Sequence, residues 1–496
     1  MIRRLTCALF LAVPLAAMTR AADVPKPNVI VINIDDLGYA DIEPFGSKLH
    51  PTPNLKRLAA EGMKLTSFYG APVCSPSRSS LMTGCYPKRV GVPAVLFPAG
   101  ATGINASELT VAELLKLRGY TTAIVGKWHL GDQPEFLPTR HGFDHYFGLP
   151  YSNDMGPAAD GVKSNLGDPL PANPKGAGQP PLPLLRGEKV IQRVLAEDQT
   201  TLVARYTDEA VKFIKASKDK PFFLYLPHTA VHFPLYPGKA FQGKSGHGLY
   251  GDWVAEVDWS VGQVVDTVRE LGLGAKTLVL FTSDNGGTAR GSNAPLRGFK
   301  ASTWEGGMRE PTIAWWPGRI PPGTSSDAIA SMMDVLPTVV KLAGGAVPAD
   351  RKLDGVDLWP VLSGSAKESS RDAFFYFAGN QLQAVRSGPW KLQLIVPGQG
   401  AGAAKKANAK KDADKQAAPP KVPRLYNLTA DIGETTDVSD TNPEVVKRLM
   451  TFVEKMDSDL GRDGTGPGVR PSGRVQNPQP LIGHDGKVRE GFEAAQ

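Results

Sequence analysis

Acidic, amide, lysine and histidine side chains follow four strand-like runs of this sequence. The runs cover residues 28–34, 120–125, 221–226 and 277–282. The polar residues that come after them are Asp35, Asp36, Lys127, His129, His228, His232, Asp284 and Asn285. Because ligands bind beyond the carboxyl ends of the strands in an open α/β sheet, we expect these side chains to meet at one sheet edge.

Two oxygen-bearing pairs in this set predict a metal site. Adjacent carboxylates repel, so burying Asp35 and Asp36 together is costly unless they share a cation. With Asp284 and Asn285 they form an all-oxygen set that suits a hard divalent ion, Ca²⁺ or Mg²⁺. Each pair alone is also typical of a turn or a helix cap. Their joint placement at strand ends favours the metal site.

The segment 74–84 (CSPSRSSLMTG) carries the residue best suited to nucleophilic chemistry. It follows a strand-like run at 64–69 and begins a short helix, so Cys74 is expected near backbone N–H groups that favour an anion. An oxygen nucleophile made from Cys74, with a cation beside it and lysine and histidine donors around it, would bind a tetrahedral oxyanion. Arg78, one helical turn on, would hold the modified side chain.

The cysteine content leaves a second possibility for Cys74. Of the three cysteines, Cys7 lies in an N-terminal segment that we expect to be removed. In an oxidising compartment, composition alone favours a disulfide between Cys74 and Cys85. The sequence around Cys74 argues against this pairing, and we expect Cys85 to be a buried, unpaired thiol.

The elements that must position these residues alternate between strands and helices, which predicts an α/β fold with a mostly parallel sheet. Helices are predicted at 53–62, 198–216, 253–271 and 334–342, and in a segment that Ser107 caps and Gly119 ends. Residues 155–187 show little periodicity and are expected to form a long surface loop facing the substrate.

The sequence changes character after about residue 365. Short aromatic strands are predicted at 373–377, 383–385 and 391–395, and a helix at 443–456. We therefore predict a catalytic domain at 23–365 and a C-terminal subdomain at 366–496 with an antiparallel sheet and a helix. An Ala/Lys/Pro tract at 397–421 is expected to be an unstructured insertion, and the tail from Gly461 to be irregular.

Composition and charge limit where the protein acts. With 41% hydrophobic and 21% charged residues among 496, wholesale disorder and fibrous folds are excluded. Of the formal net charge of +7, three units lie in 1–22 and four in 401–421, which leaves the rest of the chain neutral. Residues 1–22 have the pattern of a signal peptide, and no later segment is apolar enough to cross a membrane. We expect an exported protein, periplasmic or secreted, without stable membrane insertion.

Two long motifs make the sequence resemble the type I sulfatases of the alkaline phosphatase superfamily. Segment 74–84 matches the family's Cys-x-Pro-Ser-Arg followed by Thr-Gly, and 119–129 (GYTTAIVGKWH) matches its second signature. The resemblance covers 28–460 and is greatest to the arylsulfatase A and N-acetylgalactosamine-6-sulfatase branch, on segments 150–154 and 222–225. It implies a large mixed, mostly parallel sheet sandwiched by helices, as in alkaline phosphatase, plus the small C-terminal subdomain.

The resemblance also implies a chemistry. A formylglycine-generating or sulfatase-maturating enzyme would oxidise Cys74 to formylglycine during export. One hydroxyl of the hydrated aldehyde would attack sulfur, and the other would then lose its proton, expel sulfate and regenerate the aldehyde. A metal ion, Ca²⁺ in preference to Mg²⁺, would polarise the sulfate. Its implied ligands are Asp35, Asp36, Asp284, Asn285 and the modified side chain of Cys74.

The same resemblance assigns roles to the other polar residues. Arg78 and Lys127 would stabilise the hydrate and the developing charge, and His129 would assist proton removal from the hydroxyl. The implied substrate-binding residues are Lys127, Ser152, His232 and Lys300. His232, rather than His228, would contact and protonate the leaving-group oxygen, because the family's histidine lies two residues before a proline, as His232 does before Pro234. Ser152 is equally well explained as a loop serine.

We therefore predict an arylsulfatase-type sulfuric ester hydrolase that acts on aryl or, physiologically, carbohydrate sulfates. Its partner would be a sulfated small molecule or glycan. One alternative is a phosphonate or phosphate ester hydrolase that uses the same modified cysteine. Another is an exported, non-catalytic protein that binds sulfated glycans, in which Cys74 would remain unmodified. No motif supports nucleic-acid binding.

Overall fold

The structure is a computed structural model that describes residues 26–397 and 422–494. The predicted signal peptide and, apart from its first residue, the predicted insertion at 397–421 lie outside the described residues. The strands are β1 (Asn28–Ile34), β2 (Met63–Tyr69), β3 (Thr102–Gly103), β4 (Thr121–Val125), β5 (His145–Gly148), β6 (Pro183–Arg186), β7 (Lys189–Arg193), β8 (Phe222–Pro227), β9 (Thr277–Ser283), β10 (Arg309–Trp315), β11 (Thr324–Ser326), β12 (Ala330–Ser331), β13 (Phe374–Ala378), β14 (Gln381–Ser387), β15 (Trp390–Gln393), β16 (Arg424–Asn427) and β17 (Gly473–Arg474). The helices are α1 (Pro53–Glu61), α2 (Cys74–Thr83), α3 (Val111–Lys116), α4 (Leu202–Ser217), α5 (Gly248–Glu270), α6 (Glu305–Met308), α7 (Val335–Leu342), α8 (Trp359–Leu362) and α9 (Pro443–Leu460).

The large sheet is mixed and mostly parallel, as predicted. Its strand order is β11-β2-β10-β9-β1-β8-β4-β5-β6-β7, with β12 also paired to β2. The central strands β9, β1, β8, β4 and β5 run parallel, whereas β10 runs antiparallel to both of its neighbours. The four strands that precede the predicted site residues therefore end at the same edge.

Helices cover both faces of this sheet. Alternate residues of a strand point to opposite faces, and on β1 the side chains of Val29 and Val31 join one apolar core while those of Ile30 and Ile32 join another. The first core includes residues of α2, α3 and α7, and the second includes residues of α1, α4 and α5. Burial of apolar surface on both faces explains why β1 is apolar apart from Asn28 and Asn33.

The C-terminal part of the chain forms its own antiparallel sheet. Its order is β13-β14-β15-β16, and it shares a third apolar core with α9. The three predicted aromatic strands and the predicted helix are confirmed, with β16 as an unpredicted fourth strand. From Gly461 the described chain is mostly irregular, apart from the short pairing of β17 with β3. The division into domains at residue 365 stays a prediction.

Two local predictions are wrong. Ser107 does not cap α3; the cap is Thr110, whose side chain accepts the N–H of Glu113 while the Glu113 carboxylate accepts the N–H of Thr110. The segment predicted as a loop at 155–187 ends in β6, which pairs with β7 at the sheet edge. The rest of that segment has only a short 3₁₀ turn at Ala158–Asp160. Among the described helices, none is long and apolar enough to cross a membrane.

Candidate active site

The carboxyl ends of β1, β4, β8 and β9 bring the predicted polar residues together. Main-chain hydrogen bonds continue past the strand ends: the N–H of Asp284 donates to Ile34 O at 2.9 Å, and the N–H of Lys127 donates to Pro227 O at 2.8 Å. The side chains of Asp35, Lys127, Asp284 and Asn285 have no solvent exposure. The sheet edge therefore holds buried, charged groups in fixed positions.

A group of possible metal ligands lies at the centre of this edge. One ligand atom from each of Asp35, Asp36, Cys74 and His232 lies within 4.8 Å of the others. Asn285 Nδ2 donates to Asp36 Oδ1 at 2.7 Å, and the buried Asn285 Oδ1 has no hydrogen-bond partner among the described residues. An oxygen-rich set with one unpartnered oxygen suits a hard divalent cation. His232 belongs to this group, although the sequence predicted it as a proton donor and substrate contact and not as a metal ligand.

Three cationic side chains neutralise the acids. Lys127 forms a very short ion pair with Asp35, and Lys300 Nζ lies 2.6 Å from Asp36 Oδ1. Arg78 binds Asp284 Oδ2 through two nitrogens, at 2.9 and 3.1 Å. Burial alone would raise the pKa of Asp35, but the nearby cations, Lys127 above all, hold it well below its ordinary value. Asp35 is therefore a stable carboxylate, available as a ligand.

Cys74 begins α2 and faces the same group. Its Sγ donates to Asp35 Oδ1 at 3.3 Å and accepts from Lys300 Nζ at 3.3 Å. Burial, followed by the charge of Asp35, raises the pKa of the Cys74 thiol far above its usual value. A neutral thiol is a poor nucleophile, so the unmodified side chain is unsuited to attack.

The disulfide that composition favoured is not present. Cys74 and Cys85 are both free and buried. Cys85 Sγ instead lies 3.3 Å from Arg470 Nη2. The expectation of a buried, unpaired Cys85 is confirmed.

The two histidines with predicted roles differ in their surroundings. His129 Nε2 lies 3.0 Å from Leu96 O and must donate to it, which leaves the lone pair on the buried Nδ1, for which the described part of the chain supplies no hydrogen-bond partner. Burial, with Lys127 and Arg78 nearby, lowers the pKa of His129 well below its usual value. The imidazole is therefore neutral, and its Nδ1 lone pair can accept a hydrogen bond.

His232 lies closer to the acids of the site than His228 does. Its Nε2 is 3.7 Å from Asp36 Oδ2, and its Nδ1 is 3.3 Å from the hydroxyl of Ser152, which also accepts from Lys127 Nζ at 3.2 Å. His228 is fully buried beside Ser260, and burial lowers its pKa to about 3. The structure therefore brings together His232, Ser152 and Lys127, and keeps His228 away from them.

Backbone strain is concentrated here. Asp36, His129 and Ala301 have left-handed φ angles of 63°, 65° and 69°, which costs about 1–3 kcal/mol each in residues other than glycine. Gly126 has φ of 127°, and a Cβ there would lie 1.9 Å from Pro227 O, so only glycine lets the chain turn toward Lys127. The packing around the site must hold these conformations.

Sequence reasoning gave no role to two residues that contact the site. Ser77, three residues after Cys74, forms a very short hydrogen bond to Asp284 O and accepts the N–H of Ala71 at 3.0 Å. Asp154 Oδ1 lies 4.0 Å from His232 Nδ1. The helical spacing of Ser77 from Cys74 was a usable signal; nothing in the sequence singled out Asp154.

Comparisons with known proteins agree with the motifs. A family model described as Sulfatase matches residues 27–346, and one described as C-terminal region of aryl-sulfatase matches 369–465. The chain is 40% identical to arylsulfatase A of Bos taurus over 471 residues, 90% of each protein. It is 41% identical to N-acetylgalactosamine-6-sulfatase of Rattus norvegicus over 400 residues, 75% of this chain and 72% of that protein.

Solved structures show the same likeness. The PsFucS1 sulfatase from Pseudoalteromonas sp. aligns with a TM-score of 0.77 and 28% sequence identity. The alignment covers 89% of this chain and 92% of that one.

Proposed function

The chain belongs to the sulfatase family, and on that premise we propose that it hydrolyses carbohydrate sulfate monoesters at the site around Cys74. The observation that carries this proposal is the position of Cys74 Sγ, 3.3 Å from both Asp35 Oδ1 and Lys300 Nζ. An acid that can hold a cation and an ammonium that can bind an anion flank one side chain. This arrangement suits attack on an anionic ester.

We propose that Cys74 acts as formylglycine. Two features support this: the match of 74–84 to the sulfatase motif and the raised pKa of the buried thiol, which leaves an unmodified cysteine neutral. The hydrated aldehyde would supply two hydroxyls on one carbon, one to attack sulfur and one whose deprotonation releases sulfate. Arg78, one turn along α2 with its Nη1 bonded to Lys127 O at 2.9 Å, would hold this side chain in place.

The donor set supports a bound Ca²⁺. Asp35, Asp36, Asp284 and Asn285 would hold it together with the modified side chain of Cys74; Asn285 contributes a buried oxygen that has no other partner among the described residues. The ion would polarise the sulfate and lower the pKa of the attacking hydroxyl. Lys127 and Lys300 would then be free to bind sulfate oxygens in place of Asp35 and Asp36.

Proton transfers would fall to the two histidines. His129, whose Nδ1 has no hydrogen-bond partner among the described residues, would accept the proton during sulfate release. His232, at the edge of the acid group, would donate a proton to the leaving-group oxygen. Ser152 lies between Lys127 and His232, which supports a sulfate contact for it.

The surroundings of His232 support a sugar as the leaving group. The guanidinium of the exposed Arg290 lies 4.9 Å from the ring centre of Phe233, and Phe299, beside Lys300, is 47% exposed. Aromatic faces suit the C–H face of a sugar ring, and a guanidinium suits its polar substituents. Asn165, from the predicted substrate-facing segment 155–187, accepts the N–H of Leu235 at 3.0 Å, three residues after His232. Export through the N-terminal leader would place the enzyme where such glycans occur.

Mass spectrometry of the peptide containing Cys74, after expression with a maturation enzyme, tests the nucleophile. We expect an aldehyde there, turnover of aryl and glycan sulfates that chelation of divalent cations abolishes, and complete loss of turnover in a folded Cys74→Ala variant. An unmodified thiol without turnover would instead indicate the non-catalytic glycan-binding alternative. Faster turnover of phosphodiesters than of sulfates in the same assay panel would indicate the phosphoester hydrolase.

A further inference from the structure

A buried ionic cluster links the C-terminal sheet to the segment that carries Lys300. We call Lys391, Glu305 and Glu434 the Lys391 cluster. Lys391 lies on β15 with no solvent exposure, and its Nζ is 3.0 Å from Glu305 Oε1 and 2.7 Å from Glu434 Oε1. The same nitrogen donates to Thr303 O at 2.8 Å. One ammonium on β15 thus joins residues 303–305 to Glu434.

Stability alone does not account for this cluster. Removing a lysine and two carboxylates from water costs several kcal/mol per ion, and well-packed apolar residues often replace buried ion pairs without loss. Buried ion pairs instead fix geometry, because each partner is confined to a narrow range of positions. The segment whose geometry the cluster fixes is therefore the informative feature.

The cluster holds residues 303–305, which Ala301 and Ser302 separate from Lys300. Glu434 Oε2 accepts the N–H of Glu305 at 2.7 Å, and Glu434 O accepts from Arg297 Nη1 at 2.7 Å. The hydroxyl of Thr303 donates to Gln383 Oε1, on β14, at 2.8 Å. Main-chain and side-chain groups on both sides of Lys300 are therefore attached to the C-terminal part of the chain.

Lys300 itself lies at the other end of the same turn. Its N–H donates to Gly287 O at 3.1 Å, and the N–H of Ala301, which has the strained φ of 69°, donates to Pro72 O at 2.7 Å. Pro72 lies two residues before Cys74. A strained turn relaxes unless both ends are held. The Lys391 cluster supplies part of the second attachment, together with the hydroxyls of Tyr69 and Tyr376 and the guanidinium of Arg309, which also contact the Glu305 carboxylate.

We propose that Lys391 and Glu434 are positioning residues, which hold the turn at residues 300–305 so that the Lys300 ammonium meets Cys74 and bound sulfate. This inference rests on the proposed function of Lys300 in sulfate binding. It makes the C-terminal sheet a structural part of the active site, although none of its residues touches Cys74 in the described contacts. Lys391 and Glu434 would act through Lys300 alone.

A double-mutant cycle tests whether Lys391 and Glu434 act through Lys300. The variant Lys391→Met/Glu434→Gln removes two opposite charges while keeping similar shapes. It is compared with the wild type, and the same two substitutions are also made in a Lys300→Ala protein and compared with Lys300→Ala alone. Inorganic sulfate affinity by calorimetry and KM for p-nitrophenyl sulfate are measured. In the wild-type background we expect sulfate affinity to fall and KM to rise, each about tenfold, as for a misplaced binding group. In the Lys300→Ala background we expect no further change in either quantity.

Two controls separate positioning from general destabilisation. Leu449→Ala, at a fully buried position of α9, lowers the melting temperature without touching residues 300–305 and should leave sulfate affinity unchanged. Glu434→Gln alone, the milder change, should give an intermediate weakening if the double variant folds poorly. Equal losses in both backgrounds, or a loss of affinity in Leu449→Ala, would overturn the proposal. Absence of turnover in the wild type would refute the proposed function, while sulfate calorimetry would still report on the turn.

Discussion

At the scale of single residues, the candidate active site balances three acids against three cations. The acids are Asp35, Asp36 and Asp284, and the cations are Arg78, Lys127 and Lys300. Buried charges are tolerated only when paired, and each of these acids has a cationic partner. A divalent cation would compete with Lys127 and Lys300 for the carboxylates, and the displaced ammonium groups would then favour an anionic ester.

The proposed proton transfer by His232 predicts a dependence on the leaving group. We expect His232→Gln to lower kcat/KM for a sugar sulfate by about 10²–10⁴, the range of general acid catalysis. The loss for p-nitrophenyl sulfate should be far smaller, because nitrophenolate departs without protonation. Steady-state kinetics over aryl sulfates of graded phenol pKa measure this difference, with the exposed His247→Gln as control. Equal losses for all leaving groups would assign His232 a binding role instead.

At the scale of elements, helix α5 carries a buried acid that makes stability depend on pH. Glu256 Oε2 accepts the N–H of Gly238 at 2.8 Å, but burial raises the pKa of Glu256 to about 7. A carboxyl whose pKa is higher in the folded state stabilises the fold at low pH and loses that contribution as pH rises toward 7. The loss here is up to about 3 kcal/mol.

Glu256→Gln should remove this dependence because the amide stays neutral. We expect the melting temperature of the wild type, relative to that of Glu256→Gln, to fall between pH 5 and pH 8. Other titrating groups cancel in this comparison, and Glu270→Gln, an exposed position at the end of α5, should track the wild type. Parallel curves for wild type and Glu256→Gln would show that Glu256 does not titrate in this range.

The elements differ in how far the sequence predicts them. β1, β4, β8 and β9 are apolar runs, so their parallel arrangement and the residues at their ends follow from pattern alone. The position of β10 does not follow from the sequence pattern, because Glu310 and Pro311 interrupt the apolar run of a strand that is fully buried. Both carboxyl oxygens of Glu310 lack partners among the described residues, and burial, with Asp284 and Asp36 nearby, raises its pKa well above the usual value. A neutral acid fits a buried strand, but its protonation depends on tertiary surroundings.

The candidate site also combines residues that the sequence predicts with residues whose place depends on tertiary contacts. Residues beside strand ends and inside the two motifs could be named from the sequence. The place of Lys300 could not be derived from spacing, since it depends on the turn at Ala301 and on contacts with Pro72 and Gly287. The members of the Lys391 cluster lie far apart in the sequence, with 86 positions between Glu305 and Lys391 and 129 between Glu305 and Glu434, and no local pattern marks such contacts.

At the scale of the whole molecule, the formal charge of +7 is unevenly distributed. Four units lie in 401–421, outside the described residues, whereas the charges of the candidate site cancel locally. The net charge and the site chemistry are therefore separable. A long-range attraction of polyanions by 401–421 would act on association with a polymeric substrate, and the hydrolysis of a small ester would depend on the site alone.

Deletion of 398–421 tests this separation. Gln393 on β15 faces Arg424 on β16, so a short Gly/Ser linker can join the two antiparallel strands. Shortening this connection lowers the entropic cost of closing the loop and stabilises the fold by up to about 1 kcal/mol. We expect unchanged kcat/KM for p-nitrophenyl sulfate, a melting temperature equal to or above that of the wild type, and elution from a heparin column at lower salt. A neutral Gly/Ser replacement of equal length should share the weaker heparin retention without the gain in stability, because it removes the charge but keeps the length. Loss of turnover on p-nitrophenyl sulfate in both variants would instead mean that 398–421 supplies groups to the active site, and that the lysines in this segment act on the ester itself.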